Sequence, residues 1–223
     1  WGIMAIGVFL TFKILDFADL TVDGTMATGG VVTVMLILKG WNPVAAVAVA
    51  FVAGMLAGLI TGILHTVLGI PDILAGILTQ LSLYSINLNI SEGKANQAVN
   101  VDMYKLVVSG RDNPAAIVTV VIILLVVIAL MYWFFGTELG CSLRATGCNP
   151  NMSRAQGINT NMNKVLGLMV SNGLVGLSSA LLAQYQGFAD VNMGRGSIVI
   201  GLAAVIIGEA IFGRIFRNFA LRL

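Results

Sequence analysis

Residues 117–135 read IVTVVIILLVVIALMYWFF, and residues 137–164 continue as TELGCSLRATGCNPNMSRAQGINTNMNK. The first stretch carries no charge and is long enough to cross a bilayer as a helix, which takes roughly 17–25 apolar residues. Its aromatic end, Tyr132 to Phe135, suits a membrane–water interface. The second stretch holds Glu138, Arg144, Arg154 and Lys164 among small and amide residues, with almost no large aliphatic side chains. A further apolar run, residues 165–185, follows it. A polar element between two spans lies in water. Its helix-compatible part, near residues 151–156, offers a soluble partner something to grip.

Composition agrees with a membrane protein. Of 223 residues, 58% are hydrophobic and 10% charged, and the mean hydropathy is +0.95. Soluble domains carry about 25% charged residues. With 26 Gly and 4 Pro, the chain reads as closely packed helices, because glycine lets backbones approach in lipid. The alternation of a membrane barrel is absent. The net charge of +2 is too small to point to nucleic acid. Cys141 and Cys148 stand without histidine or further cysteine nearby, so they read as two free thiols and no metal site is expected. There is no GxxxxGK[ST] loop and no nucleophile with its base. The chain is therefore expected to have no catalytic residues and to bind no cofactor itself.

Working outward, apolar runs predict spans at residues 1–14, 24–38, 44–64, 73–90, 115–135, 165–185 and 198–212. The chain opens at Trp1 inside an apolar run and closes on a basic stretch. This reads as a single transmembrane domain, residues 1–223, incomplete at both ends. With residues 137–164 in the cytoplasm, alternation puts Lys13, His65, Arg214, Arg217 and Arg222 on the same side. Lys39, Lys94, Lys105, Arg111 and Arg195 fall outside, a mild basic excess inward. The polar stretch 91–113 reads as a solvated outer connection.

Residues 15–25, LDFADLTVDGT, break the apolar pattern with Asp16, Asp19 and Asp23. Carboxylates at membrane depth need partners or a water-filled cavity, and broken helices there commonly build substrate sites. Two readings stand side by side. Asp23 and Thr25 can cap the next helix, or Asp19, Thr21 and Asp23 can line a substrate path. Thr79 and Asn87 on the fourth span and Asn172 on the sixth extend that path, or else bond across helix contacts. Glu209, deep in the last apolar run, is expected to pair with Arg214. Gly54, Gly58 and Gly62 form a packing stripe.

Residues 139–187 resemble the cytoplasmic coupling segment of ABC-type importer permeases of the branched-chain amino-acid and ribose class. The matching positions are Gly140, Arg144, Ala145, Gly147, Asn149, Ala155, Gly157, Ile158 and Asn159. Residues 19–30, DLTVDGTMATGG, resemble the broken-helix segment of the same class. With residues 74–90 they look closest to a bacterial subgroup paired with a substrate-binding lipoprotein and linked to aromatic amino acids. The resemblance implies an all-α, polytopic transmembrane helix bundle with a broken helix and a cytoplasmic coupling loop, multi-pass in a bacterial cell membrane. It implies coupling to ATPase subunits through Arg144, Asn149, Arg154, Gly157 and Asn159, with ATP and Mg held by those subunits. A second permease subunit, forming a homodimer, an extracellular lipoprotein and membrane lipid complete the expected partners. A gradient-driven carrier or a channel is the alternative, though only one helix break is visible and no pore ring.

Overall fold

The structure, a computed structural model, describes residues 1–99, 107–108 and 113–212. Helices dominate it: α1 (Gly2–Phe9), α2 (Thr21–Leu38), α3 (Pro43–Thr66), α4 (Asp72–Ile90), α5 (Asn113–Gly136), α6 (Glu138–Cys148), α7 (Pro150–Ala155), α8 (Thr160–Gln186) and α9 (Ser197–Phe212). Among the described residues, two short strands, β1 (Asn96–Ala98) and β2 (Phe188–Asp190), pair antiparallel with Gln97 opposite Ala189. Five helices among the described residues are long and apolar enough to span a membrane, and α1 and α9 are shorter apolar helices. The all-α polytopic bundle expected from the sequence is what the chain forms.

The break between α1 and α2 has a local cause. After Phe9 the helix widens into π-type turns over Leu10–Ile14, and Leu15 N–H donates to the Leu10 carbonyl at 3.1 Å. Asp16 then adopts a left-handed φ of 54°, which Asp tolerates better than most residues, and helical geometry resumes only at Thr21. Thus α2 begins inside the bundle.

At the centre, α2 and α8 are the most buried spans, 78% and 67%, against 11% for α5. Close approach of α3 to α8 rests on the predicted stripe. A Cβ at Gly58 would run into the Leu168 carbonyl, one at Gly54 into that of Asn172, and one at Gly62 would lie 2.9 Å from Val165 Cα. These contacts are backbone to backbone, so side-chain adjustment cannot relieve a larger residue there.

Pairing of β1 with β2 puts the α4–α5 and α8–α9 connections at one end of the bundle. With α5 and α8 each crossing once, α6 and α7 lie at the other. The stretch 91–113 is thus tied down where it is described: Val99 N–H donates to the Gly187 carbonyl and Val191 N–H to that of Ala95. From β2 the chain turns inward. Met193 packs against Gly30 and Gly194 against the Asp23 carbonyl, two turns apart on α2, about 10 Å. Helix α9 therefore also begins within the bundle, and it runs beside α1 with Gly201 against Val8.

One sequence expectation is corrected, and a second gains a partner that the sequence did not suggest. Asp23 and Thr25 do not cap α2: its N-terminal residue, Leu20, makes no side-chain cap, and Asp19 Oδ1 instead accepts from Thr21 N–H at 2.9 Å. Asp23 caps a different helix, as described below. Glu209 pairs with Lys13 at 2.7 Å, both side chains nearly half exposed. Arg214, its expected partner, lies outside the described residues, as do Arg217 and Arg222.

Candidate substrate cavity and coupling helices

Four of the expected path residues meet in one closed cluster. Asp19 Oδ2 accepts from Asn172 Nδ2 at 2.6 Å, and Asn172 Oδ1 accepts from Thr25 Oγ1 at 2.7 Å. Thr21 and Thr61 hydroxyls stand 2.8 Å apart, and Thr61 reaches Thr79 at 2.9 Å. Thr79 donates to the Ala75 carbonyl at 3.0 Å. The order Thr21 to Thr61 to Thr79 to Ala75 uses each hydroxyl proton once. All six side chains are buried. The cluster ties α2, α3, α4 and α8 together, and its polar groups satisfy one another.

The other two path residues, Asp23 and Asn87, line a separate cavity of about 320 Å³ between α2, α4 and the link from β2 to α9. That volume falls in the range of small-molecule sites, roughly 300–1,000 Å³. Asp23 sits at one end, where Oδ2 accepts from Gly196 N–H at 3.0 Å and Oδ1 from Ile198 N–H at 2.9 Å. It neutralises free donors of the α9 N-terminus, whose dipole also favours a negative charge. Gln80, Tyr84 and Asn87 face the cavity along α4, at positions a turn apart. Asn192 and Arg195 close it from the link.

Asn87 is the residue of these groups whose side-chain oxygen and nitrogen are both buried and unpaired. It is completely buried, and neither its Oδ1 nor its Nδ2 has a partner among the described residues. Asn192 Oδ1 is likewise buried and unpaired. A buried polar group without a partner costs about 1–3 kcal/mol, so such groups mark a place where a ligand or water completes the bonding. The sequence reading singled out Asn87 but passed over Tyr84, Asn192 and Arg195 as site residues. The signal available was VNMGRGS, residues 191–197, a polar, glycine-flanked stretch directly before an apolar run.

At the opposite end, the polar segment forms two helices where the sequence suggested one. Thr137 Oγ1 accepts from Gly140 N–H at 3.4 Å to start α6. Asn149 Oδ1 accepts from the N–H groups of Asn151 and Met152, both at 3.1 Å, and starts α7. Gly157, with φ 83°, makes the turn beyond α7, and Asn159 caps α8 by accepting from Met162 N–H at 3.1 Å. Arg154 Nε donates to Thr160 Oγ1 at 2.8 Å, bracing α7 against α8. Arg144 is exposed on α6. Four of the five coupling residues lie on or beside α7. Arg144 lies a helix away, and α6 is held to the bundle by Asn163 Nδ2 donating to Thr146 Oγ1 at 2.9 Å. Close by, Lys164 Nζ donates to His65 Nε2 at 3.0 Å, while His65 Nδ1 faces the Ile70 carbonyl at 2.9 Å. Cys141 and Cys148 are free and exposed, and no cluster of potential metal ligands occurs among the described residues.

A bundle of spans with two helix ends inside it, a cavity beside them and an exposed helical pair at one face has the parts of a membrane transport subunit. The chain belongs to the family described as branched-chain amino acid transport system, permease component, whose model matches residues 1–221. It is the permease subunit of an ABC-type transport system, a multi-pass bacterial membrane protein that works with ATP-binding and substrate-binding partners. A tyrosine transport system permease protein of Clostridioides difficile is 43% identical over 95% of this chain and 70% of its own length. An uncharacterized protein of Rickettsia prowazekii is 36% identical over 97% of this chain and 75% of its own. An autoinducer 2 import system permease protein of Yersinia pseudotuberculosis is 28% identical over 92% of this chain and 58% of its own. No solved structure matches the chain.

Proposed function

We propose that this subunit moves an amino acid inward by alternating access, driven by two separate ATPase subunits that hold ATP and Mg. The chain itself binds no cofactor and performs no catalysis. Two copies pair as a homodimer, forming one transmembrane permease domain per chain, and an extracellular lipoprotein delivers the substrate. The reading of the substrate is supported by the similarity to the tyrosine permease and by the family description.

The observation that carries the mechanism is the exposed pair α6–α7, polar in sequence and capped at Thr137, Asn149 and Asn159. A capped helix packed on a span transmits a push as a rigid body. Docking of α7 on an ATPase would move α8, whose Asn172 holds Asp19 and so the start of α2. Rocking of packed helices about a central site is the expected consequence.

Reconstitution of the full complex in proteoliposomes tests this. Uptake of a labelled amino acid should require internal-face ATP and the binding protein. Met152→Glu on exposed α7 should uncouple ATPase activity from uptake while leaving insertion and Tm unchanged. ATP-independent uptake down a gradient would overturn the reading, and normal coupling in the variant would remove α7 from the docking role.

A further inference from the structure

We propose that the cavity bounded by Asp23, Asn87 and Arg195 binds the α-amino-acid backbone of the substrate as a zwitterion. Arg195 takes the carboxylate, and the amide oxygens of Asn87 and Asn192 accept from the ammonium group. Tyr84 and Leu81 border the side chain. The proposal rests on reading the protein as an amino-acid permease.

The electrostatics select the ligand class. Asp23 is the acidic group on the cavity wall, and its two oxygens are engaged by the N–H groups of Gly196 and Ile198. The Arg195 guanidinium, on the same wall, has no ion-pair partner among the described residues. An exposed guanidinium at the edge of the cavity offers a carboxylate a charge-assisted, bidentate partner. The unpaired atoms make a second demand. Asn87 Oδ1 and Asn192 Oδ1 are buried acceptors that lack donors. A ligand carrying one carboxylate and one ammonium meets both demands. A neutral polyol satisfies the amides and makes no use of Arg195; a simple carboxylate does the reverse.

A reporter thiol reads occupancy without relying on transport. In the assembled complex with Cys141→Ser and Cys148→Ser, Gln80→Cys places a thiol on the cavity wall, and its alkylation by N-ethylmaleimide is timed. L-phenylalanine or L-leucine at ten times its dissociation constant should slow alkylation about tenfold, since the free fraction falls as 1/(1 + [L]/Kd). Phenethylamine, 3-phenylpropionate and D-ribose should each slow it less than about twofold at the same concentration. Asn87→Leu and Arg195→Gln should each abolish protection by the amino acids; the second is at an exposed position and keeps the fold. The proposal is overturned if protection survives both substitutions, if 3-phenylpropionate or D-ribose protects as well as an amino acid, or if no amino acid protects. Uptake is measured on the same vesicles. Amino-acid uptake without protection removes the cavity and keeps the permease reading, whereas protection without amino-acid uptake removes the substrate reading and keeps the cavity.

Discussion

Two polar groups of this bundle stand a few turns apart and have opposite bonding. Around Asp19, a carboxylate, an amide and four hydroxyls lie buried and pair with one another across α2, α3, α4 and α8. Around Asn87, an amide just as buried has no partner and faces a cavity. Burial alone therefore does not distinguish a lock from a site. The distinction lies in whether the donors and acceptors are already spent. In a membrane the closed group acts as glue between helices, and the open one stores unmet bonding for something that arrives and leaves.

The comparison is sharpened most by attacking the closed group. Asn172→Leu removes the donor to Asp19 and the acceptor for Thr25 together. It should cost about 2–5 kcal/mol, because Asp19 Oδ2 is left buried without its donor and Thr25 keeps only its bond to the Thr21 carbonyl. Loss of folded complex on size-exclusion chromatography, or a large fall in Tm, is the expected reading. Gly58→Val should cost about 1–3 kcal/mol by overpacking against the Leu168 carbonyl, and the same Tm measurement checks it. Asp23→Ala comes next. It uncaps α9, an effect of about 1 kcal/mol, so hydrogen exchange should rise at Gly196 and Ile198 and not along α2. Glu209→Gln is the smallest. Its half-exposed pair with Lys13 should contribute less than about 1 kcal/mol, and both Tm and uptake should stay near wild type.

Much of the bundle was legible because lipid-facing spans are uninterrupted. Helix α5, read without ambiguity, has mean hydropathy 3.0 and is 11% buried, whereas α2, at 1.5, is 78% buried. In lipid the most apolar helix is the one at the rim, and the central helix is the one whose small and polar residues blur its signal. That is why the start of α2 was placed at residue 24 although it begins at Thr21. Helix α6 was missed for a related reason: Gly140, Gly147, Thr146 and two cysteines give it no hydrophobic period. It forms because Gly147 can sit against the Ile14 carbonyl and Leu143 is fully buried. Asp23 was read as a local cap because sequence proximity is all that a single chain offers; its partners are more than 170 positions away. The cavity is split the same way. Asn87 was visible as a polar residue on an apolar helix, but Arg195 gains meaning only when the link at residues 191–196 folds inward against α2.

The contrast between spent and unspent bonding is tested most directly by one leucine on each side of it. Tm of the purified, ligand-free complex is measured for Asn87→Leu and Asn172→Leu in parallel. Replacing an unpaired buried amide with a side chain of similar size removes a cost of about 1–3 kcal/mol. Asn87→Leu should therefore melt at or above the wild-type temperature, while Asn172→Leu melts well below it. A fall for Asn87→Leu comparable to that for Asn172→Leu would contradict the account, because it would mean that Asn87 is a structural amide and not an open one.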